Sequence, residues 1–414
     1  MRERDIIKKN LQGYFEKNEN KKVVILPVRN RSDMVKEILQ DEYGIKEQFI
    51  VDNFMYDMKH IYPVDRMPDS YKECAFLMAA IGDVKKELEY SLKKYVSQEQ
   101  IVDLLFSKER EEVFQSESKV HLDFLCVGFS KCGTSSLQSA LEENPRIYLP
   151  KVKETFFLHF AVNKASHERF KNWYGDEKTN GKIIGGIEPT YHSVAEDVYR
   201  YFGKNKDFKI IFCVRNPADA LYSDFKMIMR GIVNMEAKYV KEVELMKEFG
   251  RVCPEMFDHW NSDYRYRYEY AKYINDYLKY YPIEQIKVVV FEELRSNPYE
   301  QMNDLQNFLN IPNAEKLDYC RFPRENVGDK VVKDVRALKM NMELCQLRTL
   351  LQEKCDSQTV GMLQNIYNQV QEITLMDYKE PMLLSTWQNI MEYYSGGIHE
   401  LEKLMGRSLR GVWY

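Results

Sequence analysis

Nine consecutive residues, Gly128-Phe129-Ser130-Lys131-Cys132-Gly133-Thr134-Ser135-Ser136, carry most of the chemistry that can be read from this chain. They follow a short apolar run, Phe124–Val127, and lead into a stretch with helical spacing. A strand, a glycine-containing loop and a helix N-terminus make an anion cradle. Backbone N–H groups point inward, the helix dipole favours negative charge, and hydroxyls and a lysine complete the cage. The spacing is not that of the loop GxxxxGK[ST], because Lys131 precedes Gly133 by two positions instead of following a second glycine. A phosphotransferase using ATP would also want an acidic metal ligand ending a nearby strand. The apolar run Lys209–Val214 ends instead in Arg215-Asn216-Pro217. Glu154, in Lys153-Glu154-Thr155-Phe156-Phe157, is a carboxylate beside aromatic rings. That setting suits proton abstraction from a hydroxyl, and it also suits a helix N-cap or a surface ion pair.

These residues need a scaffold, and the hydrophobic pattern supplies one. Residues 1–106 read as a small α/β module. Lys22–Leu26, Gln48–Asp52 and Cys74–Ile81 are strand runs, Ser32 and Asp33 are offered as N-caps of a helix that Gly44 stops, and Val84–Tyr95 is an amphipathic helix. Alternating strands and helices predict a parallel sheet. The module resembles the Rossmann-like units beside catalytic domains in bacterial glycan-modifying enzymes. Its first strand–helix turn, Pro27–Ser32, has no glycine to let a pyrophosphate approach, so it reads as a non-catalytic structural or docking module rather than a nucleotide-binding one. Ser107–Lys119 is charged and polar, and 107–120 reads as a linker. A second α/β pattern runs to about residue 312, and residues 340–414 are mostly helical, ending in Ile398–Trp413. The run Tyr264–Tyr281 holds eight of the 29 tyrosines, with helical spacing from Tyr270 onward that predicts a core-facing helix.

Composition narrows the classes further. The chain has 414 residues with 44% hydrophobic and 13% aromatic side chains, too apolar for disorder. Its formal net charge of −4 argues against a nucleic-acid surface. The charge is uneven: residues 121–230 carry +3, against −2 before them and −5 after. The basic segment coincides with the candidate anion cradle. Apolar stretches fall far short of the roughly 20 residues of a membrane span, and the N-terminus lacks a secretory apolar region. The eight cysteines are scattered, with no CxxC and no metal-ligand spacing. The expectation is a reduced, cytoplasmic protein with no metal.

Taken together, Gly128–Leu137 and CVRNPADALYSDF resemble the sulfotransferases that use 3′-phosphoadenosine 5′-phosphosulfate (PAPS), within them the carbohydrate, heparan-sulfate-type branch. By that resemblance Lys131, Cys132, Gly133, Thr134, Ser135 and Ser136 would hold the 5′-phosphosulfate, and Lys131 would stabilise charge on the leaving oxygen. Arg215 and Ser223, eight residues apart, would hold the 3′-phosphate, as a guanidinium fork and a hydroxyl can. Glu154 would be the general base, with His159 as the alternative base. Lys151 and Lys153 are open to an anionic acceptor or to solvent. Ile184–Tyr191 resembles the strand and turn that often reads EKTPxY, but it lacks a lysine after Glu188, so no acceptor role is assigned to Glu188 or Tyr191. The last cofactor loop would fall at Arg321–Lys330, with Arg324 and Lys330 reaching phosphate. The resemblance covers residues 122–330 and the last 20.

The expected fold is therefore α/β: a P-loop-like, mostly parallel sheet flanked by helices over residues 121–414, with a helical insertion at 335–395 and the smaller N-terminal module. The expected function is bacterial, in-line sulfuryl transfer to a hydroxyl or amine of a glycan or glycolipid. Two alternatives stand beside it: an ATP-using P-loop phosphotransferase, and a non-catalytic glycan-binding protein with a vestigial fold.

Overall fold

The computed structural model describes residues 3–19, 21–27, 30–53, 60–159, 162–175, 181–203, 205–231, 240–311, 330–352 and 357–414. Two compact units emerge. The first comprises Met1–Phe129, Thr134–Val214 and Lys272–Pro323, and the second Ser130–Gly133, Arg215–Ala271 and Arg324–Tyr414.

The first unit holds two parallel sheets. Strands β1 (Val23–Leu26), β2 (Ile50–Val51), β3 (Ile61–Tyr62), β4 (Ala75–Met78) and β5 (Ile101–Asp103) form a sheet ordered β3-β2-β1-β4-β5. β1 and β4 are apolar throughout because both faces are covered. Val23, Ile25 and Leu77 meet Ile7, Leu11, Ile38 and Leu39 on one side. Val24, Leu26, Phe76 and Met78 meet Leu88, Leu92 and Val96 on the other. The helix after β1 spans Asn30–Tyr43, so Ser32 and Asp33 lie in its first turn and are not caps before it. There Asp33 meets the positive end of the helix dipole. Gly44 does end that helix, at φ +62°. β2 is shorter than Gln48–Asp52, and β3 is too short to have shown alternation.

The segment expected as a linker is largely a helix, Lys108–Gln115, with the Ser107 hydroxyl accepting from Arg110 N–H at 3.4 Å. Its charges are paired and not merely solvated. Arg110 meets Asp197 at 2.7 Å and Arg200 meets Glu111 at 2.6 Å. Both guanidiniums lie 4.8 Å from the Phe114 ring.

The second sheet comprises β6 (Phe124–Gly128), β7 (Ile147–Tyr148), β8 (Ile183–Ile187), β9 (Lys209–Val214) and β10 (Ile286–Val290) in the order β10-β9-β6-β8-β7. All its pairings are parallel, and Cys126 stands between Ile187 and Ile211. Gly185 is required here: a Cβ would sit 2.1 Å from the Phe124 ring. Within this unit, Glu188 and the hydroxyls of Thr134–Ser136 follow β8 and β6 in the chain.

Tyr277, on the helix Tyr270–Leu278, is buried against Phe212 with ring centroids 5.1 Å apart. The second unit contains the helices Pro217–Gly231, Val240–Phe249, Pro254–Asn261, Val335–Gln352, Ser357–Thr374 and Leu384–Met405. An antiparallel ribbon of β11 (Lys330–Val332) and β12 (Leu375–Asp377) joins them. The last helix starts before Ile398 and stops short of Trp413, because Gly406 takes φ +66°.

Candidate active site

The candidate residues are divided between the two units. In the first, the helix Thr134–Glu142 begins with three hydroxyls, of which Thr134 and Ser136 are buried. Lys153 reaches this helix end. Its ammonium donates to Ser135 Oγ at 2.6 Å and to Thr134 Oγ1 at 3.3 Å, and it pairs with Glu154 at 3.1 Å. Lys153 thus stands at the N-terminal end of this helix, a placement its sequence position left open. Hydroxyls, a helix N-terminus and an ammonium form a donor set that fits a phosphate or sulfate group.

Glu154 is half-buried and held in an unusual backbone conformation, φ +60°, and Phe156 also has positive φ, +52°. The carboxylate that burial acts on is Glu188, just past β8 and 3% exposed. Its Oε1 accepts the Thr155 N–H at 2.7 Å and the Thr155 hydroxyl, and its Oε2 accepts the Phe156 N–H at 3.2 Å. Desolvation lifts the Glu188 carboxyl to about 7 against the pull of these hydrogen bonds, with the Glu154 charge adding to the rise. Sequence reading assigned it no role. The available signal was an acidic residue at the carboxyl end of a central strand.

His159 is engaged by structure: its Nε2 lies 2.9 Å from the Thr190 carbonyl, and its ring meets Tyr191 edge-on. Burial depresses the imidazole pKa, so the ring is neutral at neutral pH and Nε2–H donates. Lys151 is exposed. Tyr191 is buried, with its oxygen accepting from Leu158 N–H at 2.9 Å.

In the second unit, Lys131 has φ +64° and Gly133 φ +86°. The Arg215 guanidinium donates to the Lys131 backbone carbonyl at 3.3 Å, which ties Arg215 to the loop that carries Lys131. The Tyr270 hydroxyl donates to the Arg215 carbonyl at 2.8 Å, and the buried Cys132 thiol lies 3.5 Å from its oxygen. Cys132 therefore anchors the loop through its side chain. Asn216 caps the helix Pro217–Gly231 by accepting from Ala218 N–H at 3.0 Å, and its amide donates to the Trp413 carbonyl at 3.0 Å. Ser223 is half-buried on that helix. Lys330 opens β11, exposed and in register with Asp377. Arg324 lies outside the described residues.

Among the described residues no group of three His, Cys, Asp or Glu side chains is arranged to hold a metal ion. Among them, too, no helix is long and apolar enough to cross a membrane.

Mouse heparan sulfate glucosamine 3-O-sulfotransferase 5 is 25% identical over 228 residues, which is 50% of this chain and 63% of the mouse protein. The human enzyme of the same name is 26% identical over 211 residues, 47% of this chain and 58% of that protein. The chain thus spans less than two thirds of these relatives' length. A sulfotransferase crystal structure from Alicyclobacillus acidocaldarius aligns with 71% of this chain and 99% of its own, at 20% identity and a TM-score of 0.44. The family described as "Sulfotransferase domain" matches residues 121–361, more than half of the sequence and the whole stretch from the cradle to Arg215 and beyond; this chain belongs to that family.

Proposed function

We propose that the chain transfers the sulfuryl group of PAPS to a hydroxyl or amine of a heparan-sulfate-type glycan or glycolipid, with Glu154 as general base. The observation that carries this reading is the position of Lys153, whose ammonium touches both Ser135 in the cradle and the Glu154 carboxylate. One cation therefore links an anion-binding helix end to a carboxylate that can accept an acceptor's proton. The names of the relatives support the glycan class.

When bound, the donor supplies the sulfuryl group and leaves as adenosine 3′,5′-bisphosphate. Thr134, Ser135, Ser136 and Lys153 would hold the sulfate-bearing end, and Lys131 would add positive charge where the leaving oxygen becomes anionic. Arg215, with Ser223, would take the 3′-phosphate. Glu154 would orient the acceptor hydroxyl and remove its proton. As in phosphoryl transfer, positioning and electrostatics would supply most of the rate.

The test is transfer of radiolabelled sulfate from PAPS to heparan sulfate by the wild type, Lys131→Ala and Glu154→Gln. Turnover by the wild type and its loss in both variants is expected. Unchanged rates in both variants would refute the assignment. Calorimetry should show adenosine 3′,5′-bisphosphate binding without magnesium, whereas magnesium-dependent ATP binding would point to a phosphotransferase.

A further inference from the structure

Three consecutive backbone donors, those of Glu154, Thr155 and Phe156, are tied to the end of β8. Glu154 N–H donates to the Ile187 carbonyl at 3.3 Å, and the N–H groups of Thr155 and Phe156 donate to the Glu188 carboxylate. Glu188 is itself fixed, since its N–H continues the ladder to the Cys126 carbonyl on β6 at 2.8 Å. The loop so held is strained, with Glu154 and Phe156 both at positive φ on either side of Thr155. Such residues persist only where their surroundings over-determine them. A buried carboxylate is a costly way to satisfy two N–H groups that a backbone carbonyl or a serine could satisfy. What the carboxylate adds is a bidentate grip on the two peptide groups that follow Glu154.

We propose that Glu188 is a positioning residue for sulfuryl transfer: its two oxygens clamp the backbone of Thr155 and Phe156 and so set where the Glu154 carboxylate stands beside Lys153. The proposal rests on reading Glu154 as the base. Three donors, two N–H groups and the Thr155 hydroxyl, converge on Glu188, and the ionised form accepts all three. A proton on Glu188 takes up acceptor capacity and loosens the grip. The other ionisable groups around it are Glu154 from the loop, Tyr174 after the helix Lys164–Trp173, and Tyr191 after β8; burial keeps both phenols protonated. With the carboxyl lifted to about 7, the loosening falls within the working pH range.

The experiment compares wild type, Glu188→Gln, Glu188→Asp, Glu154→Gln and the Glu154→Gln/Glu188→Gln double variant, with heparan sulfate as acceptor and radiolabelled PAPS as donor. Glu188→Gln is expected to lower kcat by about 10- to 100-fold, with the donor KM within about twofold. It should also abolish a fall in kcat on the acid side of pH 7 that the wild type and Glu188→Asp retain. The double variant should be no slower than Glu154→Gln alone, because a clamp has no effect once the group it places is gone. Amide hydrogen exchange at Thr155 and Phe156, which needs no acceptor, should be faster in Glu188→Gln. A slow Glu154→Gln with Glu188→Gln at the wild-type rate and exchange would overturn the clamp alone. Glu154→Gln at the wild-type rate would overturn the base assignment and the proposal with it.

Discussion

The Arg31 guanidinium, on the first helix after β1, donates to the carbonyl of His159 at 3.1 Å, while its Nε donates to Glu3 at 2.9 Å. A residue of the N-terminal module thus grips the segment that begins with Glu154, 128 positions along the chain. The N-terminal module thereby holds a backbone carbonyl five residues past the proposed base.

Arg31→Ala removes that grip. Loss of a charge-assisted hydrogen bond should lower unfolding free energy by about 1–2 kcal/mol, read by urea denaturation. Amide exchange at Leu158 and His159 should rise. The donor KM should be unchanged, because Arg31 lies outside the cradle.

Lys153→Ala takes the shared cation from Ser135, Thr134 and Glu154. By analogy with removal of one charge-stabilising donor, kcat should fall roughly 100-fold. Lys153→Arg should recover only part of the rate, since a planar fork cannot copy the three-donor ammonium. Steady-state sulfate transfer checks both.

Arg215→Lys should weaken binding of adenosine 3′,5′-bisphosphate by about tenfold and Arg215→Ala by about 100-fold, read by calorimetry. Both variants also lose the bond to the Lys131 carbonyl. Ser223→Ala, lacking only a hydroxyl, should have the smallest effect of the three.

Glu188 makes stability depend on pH. Its folded carboxyl titrates near about 7 against an ordinary value of 4.5. The unfolded chain therefore loses this proton first as pH rises. The Glu188 contribution is fullest below about 4.5 and is lost as pH climbs to about 7, with an upper bound of about 3 kcal/mol. Glu188→Gln should remove that slope. The difference between the two denaturation curves across pH 4.5 to 7.5 isolates it from the histidines.

Gly185→Ala should cost about 1–3 kcal/mol through overpacking, because the new methyl meets the buried Phe124 ring at 2.1 Å. Thermal unfolding reads it directly.

Local signals in the chain determined much of this protein. The run Phe124–Val127 before Gly128, the lysine two residues ahead of Gly133, and Arg-Asn-Pro after an apolar strand are contiguous patterns, so strand, loop and helix could be placed from them. The β1 and β4 strands were legible for the same reason: an apolar run buried on both faces needs no knowledge of its neighbours. Tertiary structure alone decided what depends on residues far apart. The Lys108–Gln115 helix looked like a linker because its charges find Asp197 and Arg200 only in the folded chain. Lys153 stood open between an anionic acceptor and solvent until folding set its ammonium on Ser135. Glu188 sat in a motif match that lacked its lysine and gave it no role, because what marks it is burial and three convergent donors from a loop more than 30 positions away. Periodicity records which side of an element is apolar. It does not record which polar groups a sheet of order β10-β9-β6-β8-β7 will bring to the same end.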